Sequence, residues 1–348
     1  MAFDAQTEDY SRVLLGEMWR NPDVKPQEAE AFYEDFQERY LKDRDSIQQS
    51  DADRAFHLVA LATDIVDYQI PFATPEEGEE LAAEAASLLD EAIKLDSECW
   101  DARRMMAMAE CTNQEDYYQY LVKNLDKVRA SARRQIEDVP MWFQTEGWAG
   151  DYTPDFIAVY TIKGPFLRWL GSMCFEALVG GRYSLAIEHH QEIIGHDPVD
   201  VGESQLAAMY ACAKKGNLAL LEEVANGIPA KEGHFMAWRL LASCAAYFRQ
   251  GEIDAASDEL TKLCDLFPEG GDLLYEQDEV IQGAFARPSF SPGTLDELLF
   301  AVSEASVLFQ EGFDPSGHGI FGEWVRNHPA VQRTRGKSPR SKGKGGAR

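Results

Sequence analysis

RYSLAIEHHQEIIGHDP, residues 182–198, aligns without a gap with EIDAASDELTKLCDLFP, residues 252–268. Ala186 falls on Ala256, His190 on Leu260, Ile193 on Leu263 and Pro198 on Pro268, and the two copies lie seventy residues apart, two steps of 35. A third copy, EAASLLDEAIKLDSE at 84–98, places Ala85, Leu89 and Ala92 in the same pattern, although Ser97 stands where the proline is expected. A small residue lets two helices cross closely, large apolar residues follow one and two turns later, and proline stops the helix. Leu170, Met173, Cys174 and Ala177 precede one copy, and Leu240, Ser243, Cys244 and Tyr247 precede another, as the first helices of helix-turn-helix units.

The rest of the chain reads the same way. Apolar residues recur at i, i+3, i+4 and i+7, whereas alternating β-branched runs with hairpin turns are missing, so the fold class is all-α. Helix signals cover 10–19, 26–49, 51–68, 75–95, 98–111, 114–136, 164–179, 182–194, 201–215, 218–226, 232–249, 253–267 and 295–311. Short connections between them predict antiparallel neighbours.

The pattern resembles the tetratricopeptide repeat, a helical unit of about 34 residues that stacks into an array. From about Ala83 to Asn226 the order is a repeat ending DEAIKLDSECWDAR, a divergent helical stretch, an aromatic insert, and GPFLRWLGSMCFEALVGGRYSLAIEHHQEIIGHDP. That order is similar to bacterial proteins related to the eukaryotic suppressor-of-tumorigenicity family, in which a tight paired unit ends in an Asn-Pro turn followed by another helix. Here the turn is Asp197-Pro198, and Leu218 to Asn226 is too short for a full unit. The resemblance implies a right-handed α-α superhelix acting as a scaffold. The expected organisation is a divergent helical segment at 1–80, a repeat region at 81–270 with an aromatic insert at 140–160, a helical cap at 271–332 and a disordered basic tail at 333–348.

Composition narrows the function. Lysine plus arginine is 33 against 60 for aspartate plus glutamate, a net −27 over 348 residues. The last sixteen residues hold seven basic side chains and no acid, which leaves −34 on the first 332. Such a body argues against a broad nucleic-acid surface, which would have to neutralise phosphates. The tail, rich in glycine, serine and lysine, is expected to stay disordered and is the one segment suited to nucleic acid, a membrane surface or the acidic body itself. The start of the chain, with Asp4, Glu8, Asp9 and Glu17, lacks a secretory pattern. Lys163, Pro165 and Arg168 interrupt the longest apolar stretch, so no membrane span is expected. Six cysteines without a C-x-x-C pair read as reduced, buried thiols, and the protein as cytoplasmic.

Several constellations invite chemistry. His189, His190 and His196 lie among Glu188, Glu192 and Asp197, but adjacent histidines on a helix point about 100° apart and do not converge on one metal. His190 sits at the large-residue position of the repeat and is expected to pack, with His189 exposed. Gly317 to Gly322 matches G-x-G-x-x-G without the strand that a dinucleotide site requires. Walker, H-E-x-x-H and G-x-S-x-G patterns are missing, and no cofactor or metal is expected. The insert carries Trp142, Phe143, Trp148, Tyr152, Phe156 and Tyr160 among glycines and Pro154 and reads as a non-helical plug or groove wall, with Trp142, Trp148 and Tyr152 as candidate anchors.

In a tetratricopeptide array the first helix of each unit lines the concave face. The resemblance therefore directs Arg104, Arg168, Phe175, Trp238 and Arg249 toward a groove, where arginines in an acidic body would select a carboxylate or acidic segment. The lysine and asparagine pattern of carboxylate clamps is not matched, since the central position is Phe175 in one unit and Ala245 in another. The expected function is a non-enzymatic scaffold that binds a protein or peptide partner. The alternatives are an enzyme or metal-dependent module near His189, His190 and Trp148, and a nucleic-acid or ribosome-associated adaptor working through the tail.

Overall fold

Helix starts follow the caps written in the sequence. Asp4 accepts from the Thr7 amide to open α1 (Ala5–Arg20). Ser50 and Asp53 form a capping box at α3 (Asp51–Asp64), and Thr74 and Glu77 form another at α4 (Pro75–Leu95), where Pro75 occupies a position that needs no N–H donor. The computed structural model describes residues 4–146, 161–228, 234–280, 290–311 and 318–337, the side chains of 144–146 excepted; no strand occurs among the described residues, and the all-α expectation holds. No helix of the described residues is long and apolar enough to cross a membrane.

The described residues form two compact units, one up to Ser172 and one from Met173 onward. The first contains α1, α2 (Ala29–Lys42), α3, α4, α5 (Trp100–Glu110), α6 (Gln114–Glu137), α7 (Met141–Glu146) and the first half of α8 (Gly164–Val179). Residues 26–49, read as one helix, break at Asp43, and Arg44–Ser46 makes a separate 3₁₀ turn. Alanines carry the close packing: Ala55, Ala60 and Ala62 of α3 share a buried cluster with Ala85, Leu89 and Ala92 of α4 and Ala102 and Met105 of α5. The start of the aromatic insert is helical as α7, contrary to the non-helical reading. Its Phe143 is buried with Leu15 and Met18 of α1, while Trp142 is half-buried against the same cluster.

The second unit holds the rest of α8, α9 (Tyr183–His196), α10 (Ser204–Lys214), α11 (Leu218–Asn226), α12 (Met236–Gln250) and α13 (Ile253–Leu266). Among the described residues five short helices follow: α14 (Gly271–Glu276), α15 (Leu295–Glu304), α16 (Ser306–Phe309), α17 (Ile320–Asn327) and α18 (Pro329–Thr334). Of the aligned positions, Ala186 and Ala256 are fully buried, and Ile193, Leu260 and Leu263 are buried as well. The last helix runs through Thr334, two residues into the segment read as a tail; 338–348 lie outside the described residues.

Three turns in this unit are the same turn. After α8 the Gly181 amide donates to the Leu178 carbonyl and Arg182 to Ala177; after α10 Gly216 donates to Ala213 and Asn217 to Cys212; after α12 Gly251 donates to Phe248 and Glu252 to Tyr247. Each glycine has positive φ, 75°, 62° and 82°. This is the Schellman ending, which needs a left-handed residue that glycine supplies without steric penalty. The three glycines are spaced by 35 residues, so α8–α9, α10–α11 and α12–α13 are successive helical hairpins of one period, and the short α11 is a member of the series.

Candidate functional site

Arg104 and Arg168, expected on an open groove, are instead buried in the first unit, about 4% and 5% exposed. Arg168 donates to both Asp101 oxygens, at 2.8 and 2.6 Å, and to both Glu8 oxygens, at 2.6 and 3.1 Å. Arg12 also donates to Glu8 and lies 4.2 Å over the Phe56 ring, while Arg104 reaches the Ser172 hydroxyl. Burial alone would raise the Asp101 carboxyl, but Arg168, Arg104 and Arg12 outweigh it and hold it below the usual carboxylate range. Asp9 is governed in the same way: burial opposes its ionisation, and His57 and Arg44 overcome it. These bonds fasten α1 to α5, α8 and the segment after α2, so Arg104 and Arg168 are struts of the fold.

The other three groove candidates belong to the second unit. Phe175 is exposed on α8, at 36%. Trp238 is fully buried, its indole N–H donating to the Glu304 carboxylate at 3.0 Å and its ring stacking on Phe290 at 5.3 Å. Trp238 is therefore not offered to a partner, because the chain's own C-terminal helices cover it. Arg249 is half-exposed and bonds Glu311 at 2.8 and 2.9 Å.

These contacts belong to a larger seat. Glu297, Glu304 and Glu311 recur every seven residues; the first two share one face of α15, and Glu311 follows the end of α16. Glu297, buried, accepts from the Ala237 amide in the first turn of α12, at 2.8 Å, and from the Gly293 amide. Anionic charge at that helix start is favourable. Glu304 takes the Trp238 indole, and Glu311 takes Lys214 at 2.6 Å together with Arg249. Main-chain carbonyls are read as well: the Tyr210 hydroxyl donates to Ala301 at 2.7 Å and Lys214 to Val307 at 3.0 Å. Hence α10 and α12, first helices of their hairpins, present donors that grip an acidic segment supplied in cis by α15, α16 and Glu311 just beyond them. Sequence reasoning missed Lys214, Tyr210 and the three glutamates, although the seven-residue spacing was there to be read.

Past Glu311 the seat opens into a cavity of about 420 Å³. Phe248, Leu308, Phe321 and the outward-facing Ile320, 71% exposed, wall it, with Lys214 and Arg249 at one side. Burial would push the Glu311 carboxyl up, but hydrogen bonds from Lys214 and Arg249 hold it below its ordinary value. Lys214 is itself buried, whereas the Glu311 side chain is 45% exposed. A second cavity, about 650 Å³ in the first unit, is bordered by Arg12, Arg20 and Trp19 and by several carboxylates, among them Asp51, Asp53 and Glu98.

The remaining candidates resolve structurally. His190 is buried with Nδ1 2.8 Å from the Ser204 hydroxyl, the packed imidazole expected; His189 is half-buried rather than exposed. Among the described residues no group of three His, Cys, Asp or Glu is placed to hold a metal ion. Gly319 and Gly322 bring α17 against the backbone of Phe309–Glu311, where a Cβ would collide with main-chain oxygens, and the Gly319 amide donates to Phe309 at 2.6 Å. Gly317, Trp148, Tyr152, Phe156 and Tyr160 lie outside the described residues. All six cysteines are free thiols; burial pushes Cys99 and Cys212 up to about 12 and Cys264 to about 11, so they stay protonated. Glu176, beside Phe175 in sequence, has a buried Oε2 without a partner, and burial pushes its carboxyl up to about 7.

No family model, curated protein or solved structure matches the chain.

Proposed function

We propose that the protein is a non-enzymatic interaction scaffold, built on a tetratricopeptide-like helical array, that binds a segment of a partner protein along the first helices of its hairpins. The observation that carries this reading is the seat on α10 and α12, where Tyr210, Lys214, Trp238 and Arg249 already hold an acidic helical segment through its glutamates and its carbonyls. Helix-in-groove recognition uses this combination of anchors repeated along one face and a few directed polar bonds. The three hairpins repeat at one period of 35 residues, and Phe175 on α8 leaves an apolar anchor uncovered along the same series. In a body of net negative charge, the pair Lys214 and Arg249, converging on one carboxylate, is the natural point of selection for an acidic partner segment.

The test is affinity capture from native lysate with the full chain and its Phe175→Glu variant as baits, read by mass spectrometry and by circular dichroism. The expected outcome is one or more proteins retained by wild type and lost by a variant of equal helicity. Identical captures, or none, overturn the reading.

A further inference from the structure

We infer that the cavity beside Lys214 and Arg249 is a binding site for a peptide segment bearing a glutamate or aspartate side chain flanked by large apolar residues, and that Glu311 is its competitor in cis. This rests on the interaction reading above and deepens it.

Charge is the first ground. Two cations meet here, and among the described residues Glu311 is the one acid paired with either of them. Lys214 is buried, so its ammonium is already stripped of most water and is matched by a carboxylate at 2.6 Å and a carbonyl at 3.0 Å. A desolvated cation of this kind discriminates strongly for an anion, because the alternative is an unpaired buried charge. The anion now in place is only half-covered and so can exchange.

Shape and polarity supply the second ground. The cavity is at the lower end of the range for small-ligand sites, enough for a side chain or two of a peptide rather than a cofactor. Its walls are apolar, and Ile320 stands uncovered at the mouth against the usual preference of a large aliphatic residue. A carboxylate with apolar neighbours satisfies both features at once. The chain's own Val307-Leu308-Phe309-Gln310-Glu311 is such a sequence, with Leu308 lining the cavity and Glu311 on the cations.

The competition fixes the test. Fluorescence polarisation is measured with a fluorescein-labelled, C-terminally amidated pentapeptide copying residues 307–311, added to the full chain. Glu311→Gln should tighten binding about tenfold over wild type, because the competent state no longer waits for an internal carboxylate to leave. Adding Lys214→Met to that variant should remove the gain, and a peptide with its last Glu replaced by Gln should bind at least tenfold more weakly to the Glu311→Gln protein. Equal affinity of wild type and Glu311→Gln, or indifference to the peptide's carboxylate, overturns the assignment. Circular dichroism and a urea midpoint on each variant separate lost binding from lost fold, and Arg249→Met in place of Lys214→Met repeats the test at a half-exposed position. If the peptide is indifferent while capture remains sensitive to Phe175→Glu, the scaffold reading stands and this site falls. If capture fails too, both fall.

Discussion

Each unit ties a terminal helical segment to its body with carboxylates, but it does so in a different medium. In the first, Glu8 and Asp9 of α1 are buried among Arg12, Arg44 and Arg168, and every carboxylate oxygen is taken by a donor. In the second, the series Glu297, Glu304, Glu311 begins buried and ends half-exposed beside a cavity. Coulomb attraction is several-fold stronger in the dry setting, and so is the penalty for an unmatched charge. A sealed network therefore fixes the fold, whereas an ion pair at the edge of water can be exchanged for another. This gradient separates the struts Arg104 and Arg168 from the half-open pair of Lys214 and Arg249 with Glu311.

The sharpest way to break the comparison is Arg168→Met. It leaves Asp101 and Glu8 buried with fewer cations and should lower unfolding free energy by about 3–5 kcal/mol, read from urea denaturation at pH 7. A loss below about 1 kcal/mol would mean that water reaches the network, and the two units would then not differ in kind.

The fold was legible where local chemistry and packing agree. Pro75 to Leu95 and Leu218 to Asn226 are bounded as read, because a cap and a stop flank each apolar stripe. The seventy-residue offset between Ala186 and Ala256 was legible too, but its midpoint was not: α11 lacks the alanine-and-proline pattern. The signature the three hairpins share sits in the turns, at Gly181, Gly216 and Gly251, since backbone geometry there admits little besides glycine while helix faces tolerate many apolar residues. The site was legible only in part. Arginine type and helix position pointed to Arg168 and Arg249 alike, and what distinguishes them, burial against Glu8 in one and an open edge in the other, arises from residues 160 and 62 positions away. Trp238 was misplaced because the segment that covers it is distant in sequence.

Asp9 and Asp101 of the first unit and Glu176 of the second answer to pH with opposite sign. Asp9 and Asp101, held below their ordinary values, contribute stability that is lost as pH falls through their lowered range. Glu176, raised from 4.5 to about 7 by burial, does the reverse. Its folded form binds a proton more tightly than its unfolded form, so stability falls as pH rises through that window. Glu176→Gln should match wild type below about pH 4 and exceed it by about 1–2 kcal/mol at pH 8, after allowance for partial exposure. Parallel stability curves for the two proteins would show that Glu176 is solvated and that the contrast in sign does not exist.

The smallest effect is the most telling for the comparison. Glu311→Gln removes a charge from a pair whose acid is 45% exposed, yet leaves an amide oxygen able to accept from Lys214 or Arg249. The stability change at pH 7 should be about 1 kcal/mol, the size that a roughly tenfold competition for Lys214 requires, and because the Glu311 carboxyl is held below its ordinary value, wild type and variant should converge as pH falls through that range. Measured by urea denaturation beside Arg168→Met, this sets the open edge of the second unit against the sealed centre of the first. If Glu311→Gln proved as damaging as Arg168→Met, Glu311 would be a strut as well, and no external carboxylate could take its place at Lys214 without unfolding the helices that it holds.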